Sequence, residues 1–256
     1  MSVRLTTTHV REPDDIRAFF DAIAGRYRES HGDERRLLER RLALIRRLMG
    51  KGCAGVLLDL GCGPGVHLFP LTPAFIRAIG VDLSPRMIAL AAQLAGGLDC
   101  APRIELHTAD AARLACAEPD SVDVVLCTGA LEHMPDQAGV LAEARRVLKP
   151  GGRFVCLTVN GAHLWYRWLA PRLGYDARHL SSDRFLDADA LQALVRQARL
   201  DVRELGHWHF VASGDMPRWA AWALQLLDYA GRLGQAELLR GGLYVSAVKP
   251  PSSTSP

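Results

Sequence analysis

Residues 56–65 read V-L-L-D-L-G-C-G-P-G, an apolar run closed by an aspartate and three closely spaced glycines. Having no Cβ, Gly61 and Gly63 let the backbone turn sharply and lie close against a ligand. A phosphate-cradling P-loop needs Lys followed by Ser or Thr, whereas this loop continues P-G-V-H, so that reading fails. A dinucleotide loop spaces its glycines G-x-G-x-x-G, but Val66 holds the third place and the glycines fall at 61, 63 and 65. Asp59, just ahead of them, would face a pyrophosphate unfavourably and suits an ammonium group. Asp82 closes the next apolar run, twenty-one residues after Gly61, where a carboxylate can accept both hydroxyls of a ribose. Asp110 closes a third run ahead of two alanines, a fitting acceptor for an adenine amino group with a backbone donor beside it. Asp82 also fits a helix cap or turn, and Asp110 an ordinary strand end. Taken together, they point to a nucleoside that carries a cationic amino-acid end.

One histidine stands where such a ligand would react. His133, in L-E-H-M, follows a fourth apolar run. It titrates near neutral pH, which suits a general base. A cofactor contact and a structural role fit it as well. Glu132 beside it is expected to turn away and cap or pair with a neighbour. His67 fits either the same cleft or a solvated helix position. Further along, His163, Trp165, Tyr166, His207, His209 and Trp219 could line an acceptor pocket, although ordinary packing also accounts for each.

The elements that position these residues alternate. G-V-L-L-D-L is a continuous apolar strand, as at the buried centre of a parallel sheet. I-R-A-I-G-V-D-L, R-I-E-L-H-T-A-D, S-V-D-V-V-L-C-T and R-F-V-C-L-T-V read as four more strands, followed by D-V-R-E-L-G-H-W and G-L-Y-V-S-A-V-K. Between them, Ser84-Pro85 caps and opens a helix, Q-A-G-V-L-A-E-A-R-R-V-L forms another up to a K-P-G-G turn, and a third runs near Asp187–Arg199. Pro64, Pro70 and Pro73 shorten the helix after the glycine loop. Ahead of the first strand, one helix opens near Pro13 with Ile16, Phe19, Phe20 and Ile23 on one side. A second places Leu38, Leu42, Ile45 and Met49 at helical spacing beneath an arginine-rich face. That face fits a helix packed on a sheet or one lying on an anionic membrane. The fold class is therefore α/β, an open and mainly parallel sheet with helices on both faces and an N-terminal helical cap over 1–50. The catalytic domain spans 51–249. Two aromatic-rich segments, 160–185 and 210–240, are insertions that suit a lid over an apolar acceptor, and 250–256 is a disordered tail. Trp219, Trp222, Leu226 and Tyr229 form a helical stripe; exposed, it would favour a lipid-like substrate or peripheral membrane contact.

Composition restricts the setting. The chain has 256 residues, 49% hydrophobic, enough for a full core. Residues 1–51 carry twelve basic and eight acidic side chains, the remainder nineteen and twenty, an asymmetry too small to indicate nucleic acid. No apolar signal core and no 18-residue apolar run occur, so a membrane span is not expected and the cytoplasm is. Six cysteines show no C-x-x-C pair and no zinc spacing, which reads as free thiols and no metal.

D-L-G-C-G-P-G, V-D-L-S-P-R-M-I, T-A-D-A and L-E-H-M-P-D before L-K-P-G-G occur in one order and spacing. This set resembles the class I S-adenosylmethionine-dependent methyltransferases. It is most similar to the small-molecule group that includes ubiquinone and menaquinone biosynthesis enzymes, over roughly residues 50–160. The resemblance implies a Rossmann-like seven-stranded sheet with an antiparallel last strand. It implies S-adenosylmethionine as cofactor, held by Asp59 and the loop Gly61, Cys62, Gly63 and Gly65, by Asp82 with Leu83 and Met87, by Asp110 with Ala111, and by Cys127 and Thr128. A tyrosine that closes over the methionine end would be Tyr27, followed here by Arg28 where aspartate is usual. Methyl transfer to a small hydrophobic metabolite, at O or C, is the function implied. A nucleic-acid methyltransferase would carry N/D-P-P-Y/F where T-G-A-L-E-H stands, and no basic patch supports one. A nicotinamide reductase conflicts with Asp59 and Val66. A non-catalytic cofactor-binding partner subunit is the remaining alternative, and no oligomeric state follows from the sequence.

Overall fold

The computed structural model describes residues 7–11, 13–26, 34–50, 54–174, 178–208, 222–223, 225–230 and 237–251. Seven strands form one sheet in the order β3-β2-β1-β4-β5-β7-β6. They are β1 Val56–Leu60, β2 Arg77–Asp82, β3 Ile104–Thr108, β4 Val122–Thr128, β5 Leu148–Val159, β6 Asp201–Trp208 and β7 Gly242–Val248. β1 to β5 pair in parallel, while β7 lies antiparallel to both β5 and β6. The expected topology is thus present, with six strands in one direction and the last reversed. The K-P-G-G stretch falls inside β5. Val122 pairs with Leu148 and Val124 with Arg153, so residues 149–152 bulge out of the register.

Helices cover both faces. α1 is Pro13–Ile23, α2 Glu34–Met49, α3 Leu68–Leu71, α4 Pro85–Ala95, α5 Gln137–Val147, α6 Ala170–Arg172 and α7 Ala188–Gln197. On one face, Val140, Leu141 and Ala144 of α5 and Leu191 and Val195 of α7 pack on the apolar strands. On the other, Leu42, Ile45 and Leu48 of α2 meet Leu68, Leu71 and Phe75. The arginine-rich helix therefore lies on the sheet and not on a membrane. Its polar side is engaged too: Arg47 pairs with Glu204 at 2.8 Å, and the Arg41 guanidinium lies 5.2 Å from the centre of the Trp208 ring.

Proline limits α3 to four residues, with one 3-10 turn after it. At α4 the Ser84 hydroxyl accepts the Met87 N–H at 3.0 Å, and Pro85 fills the first turn. The chain start is tied to the insertion after β5. The Thr8 N–H donates to the His179 carbonyl at 3.0 Å and the Ser181 N–H donates to that of Thr8 at 2.9 Å, a parallel bridge between Thr8 and Leu180. Among the described residues, no helix is long and apolar enough to cross a membrane. The described cysteines 62, 100, 116, 127 and 156 are all free.

Candidate active site at the carboxyl ends of β1, β2 and β4

Strand order reverses at β1, whose neighbours β2 and β4 send their connections to opposite sides. The glycine loop leaves β1 at that crevice. The Gly61 and Cys62 N–H groups both donate to the Val81 carbonyl at 2.8 and 3.0 Å, which fastens the loop to β2. Gly61, Gly63 and Gly65 have φ of +70°, +51° and +85°, a region that side chains other than glycine rarely adopt. A Cβ on Gly61 would collide with that of Ala130, whereas one on Gly63 would meet no atom within 4 Å. The first glycine is thus required by close packing, and the second faces open space where a ligand could approach.

Five acids stand at or near the carboxyl ends of these strands. Asp59 is 2% exposed, and its Oδ2 has no hydrogen-bond partner. Burial, with the Asp82 charge second, pushes its carboxyl up to about 8. Asp82 is better supported, because its oxygens accept the Gly63 N–H at 2.8 Å and the Ser84 N–H at 2.9 Å. Burial raises its pKa, those two N–H groups lower it, nearby Asp21 raises it, and the net direction is up. Asp21 of α1 also accepts the Ser84 hydroxyl, joining the cap helix to the start of α4. Asp110 is exposed and accepts the Ala112 N–H at 2.9 Å, with Ala111 buried behind it. Glu132, expected to turn away, is buried at 4% and accepts the Thr158 hydroxyl at 2.9 Å.

The other expected cofactor contacts differ in what they present. Cys62 is buried, and burial followed by Asp59 and Asp82 pushes its thiol pKa well up, which makes it unreactive. Met87 is buried and Leu83 half-buried at the start of α4. The fully buried Cys127 thiol is hydrogen-bonded with that of Cys156 within the core. Thr128 at the strand end is 8% exposed, and its Oγ1 lacks a partner. Two orphaned buried oxygens, Asp59 Oδ2 and Thr128 Oγ1, therefore lie at the ends of neighbouring strands. Tyr27 and Trp219 lie outside the described residues.

His133 ends the short turn after β4. Its Nδ1 is 2.7 Å from Asp183 Oδ1, with 14% of the imidazole and none of the Asp183 side chain exposed. Burial lowers its pKa, the bond to Asp183 and the charges of Glu132 and Asp183 raise it, and the net direction is up. The Phe20 ring stands edge-on at 5.3 Å and the His179 ring at 5.9 Å. Residues 184–186 run alongside, since the Arg184 N–H donates to the Glu132 carbonyl and the Gly161 N–H to that of Leu186, both at 2.8 Å. They bring Phe185 to 5.2 Å from Tyr166, and Tyr166 lies 5.6 Å from His163. His163 is 2% exposed and burial pushes its pKa down to about 4, so it is neutral. His207 lies apart on the edge strand β6, beyond β7. Nothing in the sequence marks Asp183 or Phe20 as a site residue; Asp183 lies fifty positions from His133 in a segment with no periodicity.

A crevice at the strand-order switch, with acids at three strand ends and a positive-φ loop beside it, is where doubly wound α/β proteins bind a nucleotide-type ligand. The methyltransferase-domain family model matches residues 58–156. The ubiquinone biosynthesis O-methyltransferase of Bordetella bronchiseptica is 30% identical over 166 residues, 63% of this chain and 68% of that protein. The chain spans 60–68% of the length of such curated relatives. Among solved structures, the cyclase SpnF (TM-score 0.68, 19% identical) covers 96% of this chain and 100% of its own. The geranyl diphosphate C-methyltransferase of Streptomyces coelicolor, solved with Mg2+, geranyl diphosphate and S-adenosylhomocysteine (TM-score 0.65, 18% identical), covers 93% and 99%. At such identities the likeness concerns the fold. The chain belongs to the class I S-adenosylmethionine-dependent methyltransferases, and it is an enzyme that transfers a methyl group from S-adenosylmethionine to a small molecule.

Proposed function

We propose that this methyltransferase acts on a hydroxyl oxygen of a small, apolar, ring-bearing metabolite, with His133 as general base. The observation that carries the reading is a histidine at the end of β4 whose Nδ1 is already held by Asp183, beneath the Phe20 ring. An imidazole held in this way keeps Nε2 to accept a proton, which carbon and amine acceptors need less than a hydroxyl does. The nearby rings of Tyr166 and Phe185 suit a flat, apolar acceptor. The relative from Bordetella bronchiseptica, an O-methyltransferase by name, supports the choice of oxygen.

S-adenosylmethionine, when bound, supplies an electrophilic methyl carbon on a sulfonium. The orphaned, buried Asp59 is the counter-charge for its ammonium group, and Asp82 the acceptor for its ribose hydroxyls. Asp110 with Ala111 suits the adenine edge, while Thr128 and the backbone at Cys127 close the strand end. Gly63 leaves the ligand side of the loop open, Gly61 and Gly65 let it pack against Ala130 and Phe69, and Leu83 and Met87 are the candidates from the start of α4. Alignment of acceptor, methyl carbon and sulfur is the main catalytic contribution, worth roughly 7–11 kcal/mol, and the base adds about 10²–10⁴-fold. In this reading the described parts of the cap, 13–26, and of the insertion, 160–174 and 178–185, roof the acceptor site, and the strand ends of the sheet carry the cofactor half. His163, Tyr166 and, further out on β6, His207 are the acceptor-side candidates among the described residues.

The test is a panel of phenols, aliphatic alcohols, carbon acids and amines incubated with deuteromethyl-labelled cofactor, with products located by mass spectrometry. Label on oxygen of ring-bearing hydroxyl compounds, lost in His133→Gln, is the expected result. Label confined to carbon or nitrogen, or a fully active His133→Gln, overturns the proposal.

A further inference from the structure

Every oxygen of the carboxylate beside His133 is engaged, and the way it is engaged is informative. Asp183 Oδ2 accepts the backbone N–H of His179 at 2.9 Å and of Leu180 at 3.0 Å. Oδ1 alone remains for His133, at 2.7 Å. The loop that carries these donors is fastened from outside by Thr8, whose backbone bridges Leu180. Two sequence-remote segments thus hold one carboxylate oxygen against one ring nitrogen, with no exposed side-chain surface on the acid.

We propose that Asp183 is a positioning residue: by accepting the Nδ1–H of His133 it fixes the tautomer in which Nε2 takes the proton of the acceptor hydroxyl. The inference rests on His133 being the base. In the step itself the acceptor O–H bond breaks and its proton goes to Nε2. The oxygen's electron pair forms the new bond to the methyl carbon, and the pair of the broken carbon–sulfur bond stays on sulfur. The imidazolium then returns its proton to solvent. The groups that face the ring are Asp183 from the insertion, Glu132 from its own turn, His179 from the neighbouring loop and the uncharged Phe20 from α1. The two carboxylates favour the imidazolium, which agrees with the net upward direction of the His133 pKa against the pull of burial. A neutral amide at 183 can still accept the two backbone N–H groups through its oxygen. Its NH₂ would then donate to Nδ1 and force the proton onto Nε2, the wrong tautomer for a base.

The experiment is long-range proton–nitrogen NMR of the histidine rings in the full chain saturated with S-adenosylhomocysteine, from pH 5 to 9, for wild type, Asp183→Asn and Asp183→Glu. The wild-type His133 ring is expected to carry its proton on Nδ1 once neutral. Asp183→Asn moves it to Nε2 and lowers the midpoint by about one unit or more, while Asp183→Glu keeps the wild-type tautomer. An unchanged S-adenosylhomocysteine affinity in the variants confirms that they fold; if they do not, the wild-type tautomer decides alone. A neutral wild-type ring protonated on Nε2, or an Asp183→Asn ring with the wild-type tautomer and midpoint, overturns the inference. His133→Gln, run on the hydroxyl panel, separates the two readings. Wild-type rates in it remove the base, and slow rates beside an Nε2-protonated wild-type ring remove only the role of Asp183.

Discussion

The buried, unpaired carboxyl of Asp59 makes cofactor binding a proton-linked event whose sign reverses with pH. With its pKa near 8, the carboxyl is mostly protonated at pH 7, with an ionised fraction of roughly one in eleven. An incoming ammonium group favours the ionised form, so binding lowers this pKa and expels the proton. The ligand's α-amino group sits beside a carboxylate rather than an amide, stays protonated at pH 7 and takes up almost no proton on binding. The net release at pH 7 is therefore about 0.9 proton per site. At pH 9 the carboxyl is already ionised, the release is gone, and the amine takes up only a fraction of a proton. Affinity is expected to rise from pH 7 to a maximum above about pH 8. Calorimetric titration with S-adenosylhomocysteine in buffers of differing ionisation enthalpy reads these numbers directly. Asp59→Asn should abolish the release at pH 7 and weaken binding by roughly 10–150-fold, the range for one hydrogen bond to a charged group. Equal enthalpies across buffers at both pH values, or release that persists in Asp59→Asn, would refute the assignment of Asp59 to the ammonium.

Three further substitutions test other parts of the site. Asp82→Ala removes an acceptor that serves two backbone N–H groups and the expected ribose, and S-adenosylhomocysteine affinity measured by calorimetry should fall ~100-fold or more. Gly61→Ala adds a Cβ against Ala130 at φ +70°, costing about 2–4 kcal/mol, so the melting temperature seen by calorimetry should drop by roughly 5–15 °C; an unchanged melting point would show that the loop yields freely. Ser84→Ala loses the cap of α4 and the tie to Asp21, a destabilisation of about 0.5–2 kcal/mol in urea titration.

The sheet was legible because its signals are local. D-V-R-E-L-G-H-W and G-L-Y-V-S-A-V-K carry their own apolar patterning and become β6 and β7 with nearly those bounds. The Ser84-Pro85 start of α4 follows equally from adjacent residues. The cofactor half was legible for a related reason, since its acids stand at strand ends whose positions the strands themselves fix. The acceptor half was not. Asp183 meets His133, Thr8 meets Leu180 and Asp21 meets Ser84 across fifty or more positions, and no periodicity reports such pairings. The bulge at 149–152 is not legible in the sequence, because K-P-G-G has the composition of any turn; only pairing of both its flanks with β4 makes it part of a strand. Glu132 does pair with a neighbour, but its burial is not legible in the sequence, because a carboxylate is usually solvated and the hydroxyl that draws it inward lies on β5.

The reversed strand β7 has a bearing on how the chain is made. It pairs with β5 on one side and β6 on the other, although some eighty residues are synthesised between the end of β5 and its start. During translation β1 to β5 can assemble as soon as they emerge, since each pairs only with strands already made. The outer edge of β5 then waits unpaired, a template for association with another chain. The cofactor crevice thus belongs to the early-forming part of the sheet.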